Sequence, residues 1–174
     1  MLSYLDQYAE QYQQVGPEAF RRLHPWAFLV ALGMAGDLND RQTSGTSIIN
    51  LADSVLERGR IAGRVFPLVK SRDSPRGPIS VGRTSENDIV IPEYSVSRTH
   101  CIIALVNEVY RITDLGSANG TLVDGVEIGK RSPHTLAGGE ILTMGRLMLY
   151  FLPPREFVAH VRAVAPPGDF GSEG

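Results

Sequence analysis

A series of short apolar runs, each separated from the next by turn residues, extends from about residue 61 to residue 152. The runs are rich in β-branched residues, which is typical of strands joined by tight turns. They occupy residues 65–69, 79–81, 88–91, 101–106, 109–112, 121–123, 126–128, 140–143 and 147–152. Asp124 and Gly125 lie between two runs and predict a two-residue hairpin turn, because glycine tolerates positive φ. The pattern therefore predicts a mainly β protein, an antiparallel β-sandwich over residues 61–155.

The residues before this series have a different pattern. Gly16-Pro17-Glu18 is typical of a helix start, and apolar residues at a helical period follow Ser47. We interpret residues 26–30 as a helix face that packs on the sandwich or on a partner. The chain is thus predicted to have an N-terminal helical extension at residues 1–60 and a C-terminal tail at residues 156–174, with a disordered end.

Composition excludes several classes of protein. The chain has 174 residues and a formal net charge of −2, so no bulk positive field attracts nucleic acid or an anionic membrane. A single cysteine, Cys101, excludes an intramolecular disulfide and a zinc site built from several cysteines. The longest apolar run, residues 26–35, is about half the length that a membrane span needs. We expect a cytoplasmic protein without a membrane span, a metal or a cofactor.

Polar side chains lie in loops at the ends of several predicted strands. Arg83 follows one strand, Ser97 and Arg98 precede another, and Asn119 lies in a later loop. Two guanidinium groups and a hydroxyl can bind a phosphate dianion, and an amide can hold a peptide backbone through its oxygen and its N–H. Because none of these residues pairs an activated nucleophile with a base, the set favours a binding module over an enzyme.

Taken in order, these segments resemble the signature of the forkhead-associated (FHA) domain family. The resemblance is carried by Gly82-Arg83, by Ser97 with His100 three residues later, by Asn119-Gly120, and by a closing segment at residues 138–145. It implies a β-sandwich of about eleven strands that binds phosphothreonine proteins or peptides through loops at one end. It also implies a signalling role downstream of a Ser/Thr kinase.

The resemblance also implies roles for individual residues. Arg83 and Ser97 match the family's phosphate-binding positions, Arg98 matches a position that contacts phosphate or peptide, and Asn119 matches the residue that holds the ligand backbone. The residues expected to support the loop architecture are Gly82, His100, Gly120 and Thr121.

Two positions depart from the family pattern. Ala118 stands where several relatives have Thr or Ser, so this departure would either weaken phosphate binding or leave the contact to Arg98. Ser95 stands where some relatives carry a basic residue that selects an acidic side chain of the ligand.

Other interpretations of the same residues stay open. Arg83 could form a surface salt bridge with Asp88 or Glu86. Ser97 and His100 have the spacing of a hydrolase pair, although no orienting acid accompanies them. The loop face could also bind an unmodified protein as a phosphate-independent scaffold.

Residues 1–60 are too apolar for a plain linker, and two hypotheses address them. They could form a docking element that attaches the domain to a partner in a larger assembly. Alternatively, Thr43 or Thr46 could become phosphorylated and enter the pocket of the same chain or of a neighbour.

Overall fold

A computed structural model of the chain describes residues 3–35 and 61–165. Within these residues the helices are α1 (Leu5–Leu23) and α2 (Pro154–Val164). The strands are β1 (Phe28–Met34), β2 (Val65–Pro67), β3 (Ile79–Gly82), β4 (Ile89–Val90), β5 (Cys101–Val106), β6 (Val109–Asp114), β7 (Thr121–Val123), β8 (Val126–Glu127), β9 (His134–Leu136), β10 (Ile141–Met144) and β11 (Leu147–Leu152). The predicted helix after Ser47, the residues Thr43 and Thr46, and the end of the predicted tail lie outside the described residues.

The strands pair in two sheets, which confirms the predicted β-sandwich. One sheet has the strand order β2-β1-β11-β10-β7-β8, and the other has the order β4-β3-β5-β6-β9. The strand pairs of the described residues are antiparallel apart from β3 and β4, which run parallel with Val81 opposite Ile89. Buried side chains from both sheets fill the space between them, among them Ile103, Ile112 and Leu142.

The prediction of a helix face at residues 26–30 is wrong, because residues 28–34 form strand β1. This strand pairs with β11 on one side and β2 on the other, so the sandwich includes a strand from the N-terminal segment. Leu29 and Ala31 face the sandwich core, whereas Phe28 and Val30 face the helices. A strand buried on both faces is a continuous apolar run without alternation, and such a run cannot be told from a buried helix by its periodicity.

The two helices form a layer over the outer face of the six-stranded sheet. Phe157 of α2 stacks on Phe28 at 3.7 Å between ring centroids; Tyr8 of α1 lies edge-on to both rings, and Phe20 of α1 stacks on Phe157. Residues 156–174 were expected to be a tail, but α2 extends as far as Val164. Its buried side chains, Phe157 and Val161, pack on the outer face of the six-stranded sheet. Neither of the described helices is long and apolar enough to cross a membrane.

The strand register brings several loops to one edge of the sandwich. Cys101 at the start of β5 lies opposite Asp114 at the end of β6, and also opposite Val81 near the end of β3. In the other sheet, Thr121 at the start of β7 lies opposite Met144 at the end of β10. The β3–β4, β4–β5, β6–β7 and β10–β11 loops therefore lie next to one another.

Candidate functional site

Arg83 follows directly after β3 and lies against the loop that leads into β5. Its backbone N–H donates to the carbonyl of Ser97 at 3.0 Å, and its Nε donates to the carbonyl of Val96 at 3.2 Å. The side chain is otherwise exposed. The guanidinium is thus anchored through one nitrogen beside Ser97, with its terminal amino groups at the protein surface.

Arg83 forms no salt bridge with either of the acids considered for it. Asp88 instead binds Lys70, with 2.8 Å between Nζ and Oδ2. The carboxylate of Glu86 accepts a hydrogen bond from the hydroxyl of Thr84 at 2.8 Å. Among the described residues, the positive charge of Arg83 is therefore not neutralised by an ion pair.

Ser97 connects the β4–β5 loop to the β6–β7 loop. Its Oγ accepts the backbone N–H of Ala118 at 3.0 Å, and the residue is partly exposed. Because this hydrogen bond uses an oxygen lone pair, the hydroxyl proton can still be donated to a ligand oxygen.

His100 is buried beneath these loops and holds them together. Its Nδ1 accepts the backbone N–H of Ser97 at 3.1 Å, so the ring proton is assigned to Nε2. Nε2 lies 3.2 Å from the carbonyl oxygen of Gly120 and 3.1 Å from Oγ1 of Thr121. Burial lowers the pKa of His100, and this effect outweighs the opposing one of Asp114. A neutral imidazole thus connects the two loops.

Asp114 organises the turn that leads to Asn119. Its carboxylate accepts four hydrogen bonds, from the backbone N–H groups of Gly116 and Ser117 and from the hydroxyls of Ser117 and Thr121, at 2.5–2.8 Å. Burial raises the pKa of this carboxyl, but the hydrogen bonds from Ser117, Thr121 and Gly116 outweigh it and lower the pKa to about 2. The carboxylate is therefore ionised at neutral pH.

Asn119 lies exposed at the tip of the same loop. Its Nδ2 donates a hydrogen bond to the backbone carbonyl of Ser95 at 2.9 Å. One amide hydrogen is used in this bond. The carbonyl oxygen and the second amide hydrogen remain on a side chain that stands at the surface.

The backbone of Arg98 is fixed by hydrogen bonds to its carbonyl oxygen. Its carbonyl accepts hydrogen bonds from Nδ2 of the buried Asn87 at 2.7 Å and from the N–H of Thr84 at 3.4 Å. A Cβ at Gly82 would lie 2.2 Å from that carbonyl oxygen and 2.7 Å from Nδ2 of Asn87, so only glycine fits there. The side chain of Arg98 is exposed on the same loop as Ser97.

The structure thus brings Arg83, Ser97 and Arg98 together around one loop and ties Asn119 to that loop through Ser95. Asn87 and Ser95 also contribute to the site, although neither was among the predicted site residues. Asn87 follows closely after the Gly82-Arg83 pair, and an asparagine at such a position could have been predicted to hydrogen-bond the backbone of a loop. Ser95 contacts Asn119 through its backbone carbonyl, and a contact of this kind cannot be recognised from the type of side chain.

Within residues 3–35 and 61–165, no group of three His, Cys, Asp or Glu side chains could hold a metal ion. A family model for the FHA domain matches residues 79–145, a segment that includes Arg83, Ser97, Arg98 and Asn119. The chain contains an FHA domain.

Curated relatives match a little more than half of this chain. The glycogen accumulation regulator GarA of Mycolicibacterium smegmatis is 34% identical over 98 residues, which cover 56% of this chain and 56% of the relative. An oxoglutarate dehydrogenase inhibitor of Corynebacterium efficiens is 33% identical over 98 residues, 56% of this chain and 63% of the relative. An ABC transporter ATP-binding/permease protein of Mycobacterium tuberculosis is 34% identical over 110 residues, 62% of this chain and 11% of the relative. The chain thus covers less than two thirds of each of these relatives.

Solved structures of similar shape include FHA domains. The FHA domain of a protein from Chlamydia trachomatis superposes with a TM-score of 0.49 at 23% identity, over 73% of this chain and 96% of that domain.

Proposed function

We propose that this FHA domain binds phosphothreonine-containing proteins or peptides through the loops at one edge of its sandwich. Arg83 and Ser97 contact the phosphate, and Arg98 adds a second positive charge. Asn119 holds the backbone of the ligand through its amide. The preference for threonine over serine rests on the resemblance to the FHA family.

The observation that carries this proposal is the position of Arg83 beside Ser97. The guanidinium of Arg83 is fixed because its Nε donates a hydrogen bond to the carbonyl of Val96, and the hydroxyl oxygen of Ser97 is fixed because it accepts the N–H of Ala118. Both groups keep further hydrogen-bond donors at the surface. A phosphate on threonine carries a charge of about −1.5 to −2 and offers three acceptor oxygens. Preorganised charged donors of this kind bind such a group more strongly than neutral donors do.

The geometry around Ser97 supports a binding role rather than catalysis. A hydrolase would need the imidazole of His100 to accept the proton of the Ser97 hydroxyl. Instead, Nδ1 accepts the backbone N–H of Ser97, and Nε2 faces Gly120 and Thr121. The carboxylate of Asp114 lies 4.0 Å from Nε2, beyond hydrogen-bond distance, and accepts four hydrogen bonds from Gly116, Ser117 and Thr121 instead, so it does not orient the ring as a triad acid would.

A peptide library tests the proposal. Peptides with a central phosphothreonine and random flanking residues are immobilised beside matched phosphoserine and unmodified threonine libraries. We expect retention of the protein on the phosphothreonine library only, and loss of retention after phosphatase treatment. Equal retention on the unmodified library would contradict the proposal and support the second candidate, a phosphate-independent scaffold.

The exposure of two apolar side chains near the site supports that second candidate. Tyr94 lies in the β4–β5 loop with 91% of its surface exposed, and Leu115 at the start of the β6–β7 loop is also partly exposed. Exposed apolar side chains next to a polar site are suited to contact a protein surface. A scaffold that depends on them would survive phosphatase treatment but lose binding on Tyr94→Ala.

The proposal implies partners of a definite kind. A Ser/Thr kinase must phosphorylate the ligand, and we propose the reducing cytoplasm as the compartment in which both meet. We further propose that the domain begins at β1 rather than at residue 61, because β1 pairs with two strands of the sandwich. A docking role for the N-terminal segment would then belong to α1, whose exposed face includes Val15 and Leu23.

A further inference from the structure

Ser95 lies where three loops of the FHA domain meet. We propose that Ser95 is a positioning residue for ligand binding, because its carbonyl oxygen, fixed by the β10–β11 turn, sets the orientation of the Asn119 amide. The consequence for a ligand rests on the proposed function. The orientation of the amide does not, and it can be measured in the free protein.

The side chain of Ser95 is fixed by hydrogen bonds on both sides. Its Oγ accepts the backbone N–H of Arg146 at 2.8 Å and donates to Oε2 of Glu93. The same carboxylate oxygen accepts the backbone N–H of Ser95 at 2.8 Å. With its N–H and hydroxyl both engaged, the residue has little freedom to rotate, and its carbonyl keeps one direction.

The β10–β11 turn packs directly behind that carbonyl. A Cβ at Gly145 would lie 2.3 Å from the carbonyl oxygen of Ser95 and 2.6 Å from its Oγ. Gly145 also has φ of +63°, a conformation that favours glycine. The turn is itself attached to the end of β1, because the N–H of Ala35 donates to the carbonyl of Arg146 at 2.6 Å.

A fixed carbonyl determines how Asn119 presents its amide. A carbonyl oxygen can only accept, so the bond of 2.9 Å requires the NH₂ group to face Ser95 and the Oδ1 atom to face away. Without this bond, an exposed amide could rotate and present its donor and acceptor in exchanged places. Since a ligand backbone offers N–H and C=O in a fixed order, only one orientation pairs with both. The carbonyl of Ser95 therefore preorganises Asn119 for its ligand.

The variant Gly145→Ala tests the inference by displacing the carbonyl of Ser95. The control is Gly125→Ala, since Gly125 also has positive φ but has no atom within 4 Å of an added Cβ. The side-chain amide signals of Asn119 are followed by ¹⁵N–¹H NMR and assigned by their loss in Asn119→Ser. We expect Gly145→Ala to move the two amide protons toward the positions of a free amide, and Gly125→Ala to leave them unchanged. Unchanged signals in a folded Gly145→Ala protein would overturn the inference.

Ser95→Ala provides a second variant if Gly145→Ala does not fold. It removes the hydroxyl that binds Arg146 and Glu93 but keeps the carbonyl, so the amide signals should move in the same direction by a smaller amount. No movement in this variant would count against the role of the hydroxyl in fixing the carbonyl.

Binding measurements separate a positioning role from general damage to the loops. The probes are the best phosphothreonine peptide from the library and inorganic phosphate, which has no backbone for Asn119 to hold. We expect Gly145→Ala to weaken the peptide about tenfold, the effect of about one hydrogen bond, and to change phosphate binding less than about twofold. Equal losses for both probes would contradict the inference. If the wild-type protein bound no phosphothreonine peptide, the proposed function would fail, while the NMR comparison would still decide whether Ser95 orients Asn119.

Discussion

Replacement of Asp114 by Asn should destabilise the binding loops in a way that depends on pH. The carboxylate accepts hydrogen bonds from two backbone N–H groups and two hydroxyls, and all four favour its ionised form. An amide in its place keeps one acceptor oxygen but turns an NH₂ group toward the hydroxyls of Ser117 and Thr121. Those hydroxyls would lose their acceptor, and the remaining bonds would lose their charge.

The magnitude follows from the pKa of Asp114. The folded protein lowers this pKa to about 2 from an ordinary value of 3.8, which corresponds to about 2 kcal/mol in favour of the ionised form. Asp114→Asn mimics the neutral form, so the free energy of unfolding at pH 7 should fall by about 2 kcal/mol.

The sign of the pH dependence is also determined. Because the folded pKa is lower than the unfolded one, the contribution of Asp114 is complete well above pH 4. It is lost as the pH falls toward the folded pKa of about 2. The difference in stability between wild type and variant should therefore shrink over this range.

Urea unfolding at a series of pH values between 7 and 3 measures the effect, with the fluorescence of the single tryptophan, Trp26, as the signal. Asp124→Asn is the control, because Asp124 is exposed in the β7–β8 turn and its bond to the N–H of Ile141 needs only one acceptor. The reasoning would be refuted by a difference below about 0.5 kcal/mol at pH 7, or by one that does not decrease as the pH falls.

Two further substitutions test other parts of the structure. Gly82→Ala should destabilise the fold by about 2 kcal/mol and weaken ligand binding, because the added Cβ would lie 2.2 Å from the carbonyl oxygen of Arg98. The control, Gly129→Ala, should be nearly neutral, because its added Cβ has its nearest contact at 3.6 Å. Equal losses of stability in chemical denaturation would contradict the steric explanation. Phe157→Ala should cost about 3–5 kcal/mol, because it removes a buried ring stacked on Phe28, whereas the protein that remains folded should bind a phosphothreonine peptide as tightly as wild type. A loss of affinity in that folded fraction, measured by calorimetry, would show that the helical layer affects the loops.

Where local pattern and tertiary structure agree, the fold could be predicted from the sequence. The Asp124-Gly125 turn is an example, since both residues have positive φ and Val123 pairs with Val126 across the turn. The strands β5 and β6 were also predicted, because half of the residues in each are β-branched.

Elements whose role depends on distant packing could not be predicted in the same way. The strand β1 was mistaken for a helix because α1 and α2 cover its outer face and remove the alternation of apolar and polar residues. The strand β9 has only three residues, two of them exposed, and is defined mainly by its pairing with β6.

In the candidate site, too, some residues could be predicted from the sequence and others could not. Arg83, Ser97, Arg98 and Asn119 could be chosen because their side chains carry the chemistry. The contribution of Ser95 to the position of Asn119 passes through a backbone carbonyl, and that of Asn87 depends on how closely Gly82 approaches the next loop. Such contacts exist only once the loops have been brought together.

The proposed function is tested most directly by calorimetry with Arg83→Ala and a phosphothreonine peptide selected from the library. Arg155→Ala is the matched control, because Arg155 is an exposed arginine on α2, away from the loops. The removal of a charged partner of a phosphate costs about 2–5 kcal/mol, so Arg83→Ala should weaken binding at least about thirtyfold while Arg155→Ala binds as wild type does. An affinity of Arg83→Ala within about twofold of wild type would contradict the proposal that this loop face recognises phosphate.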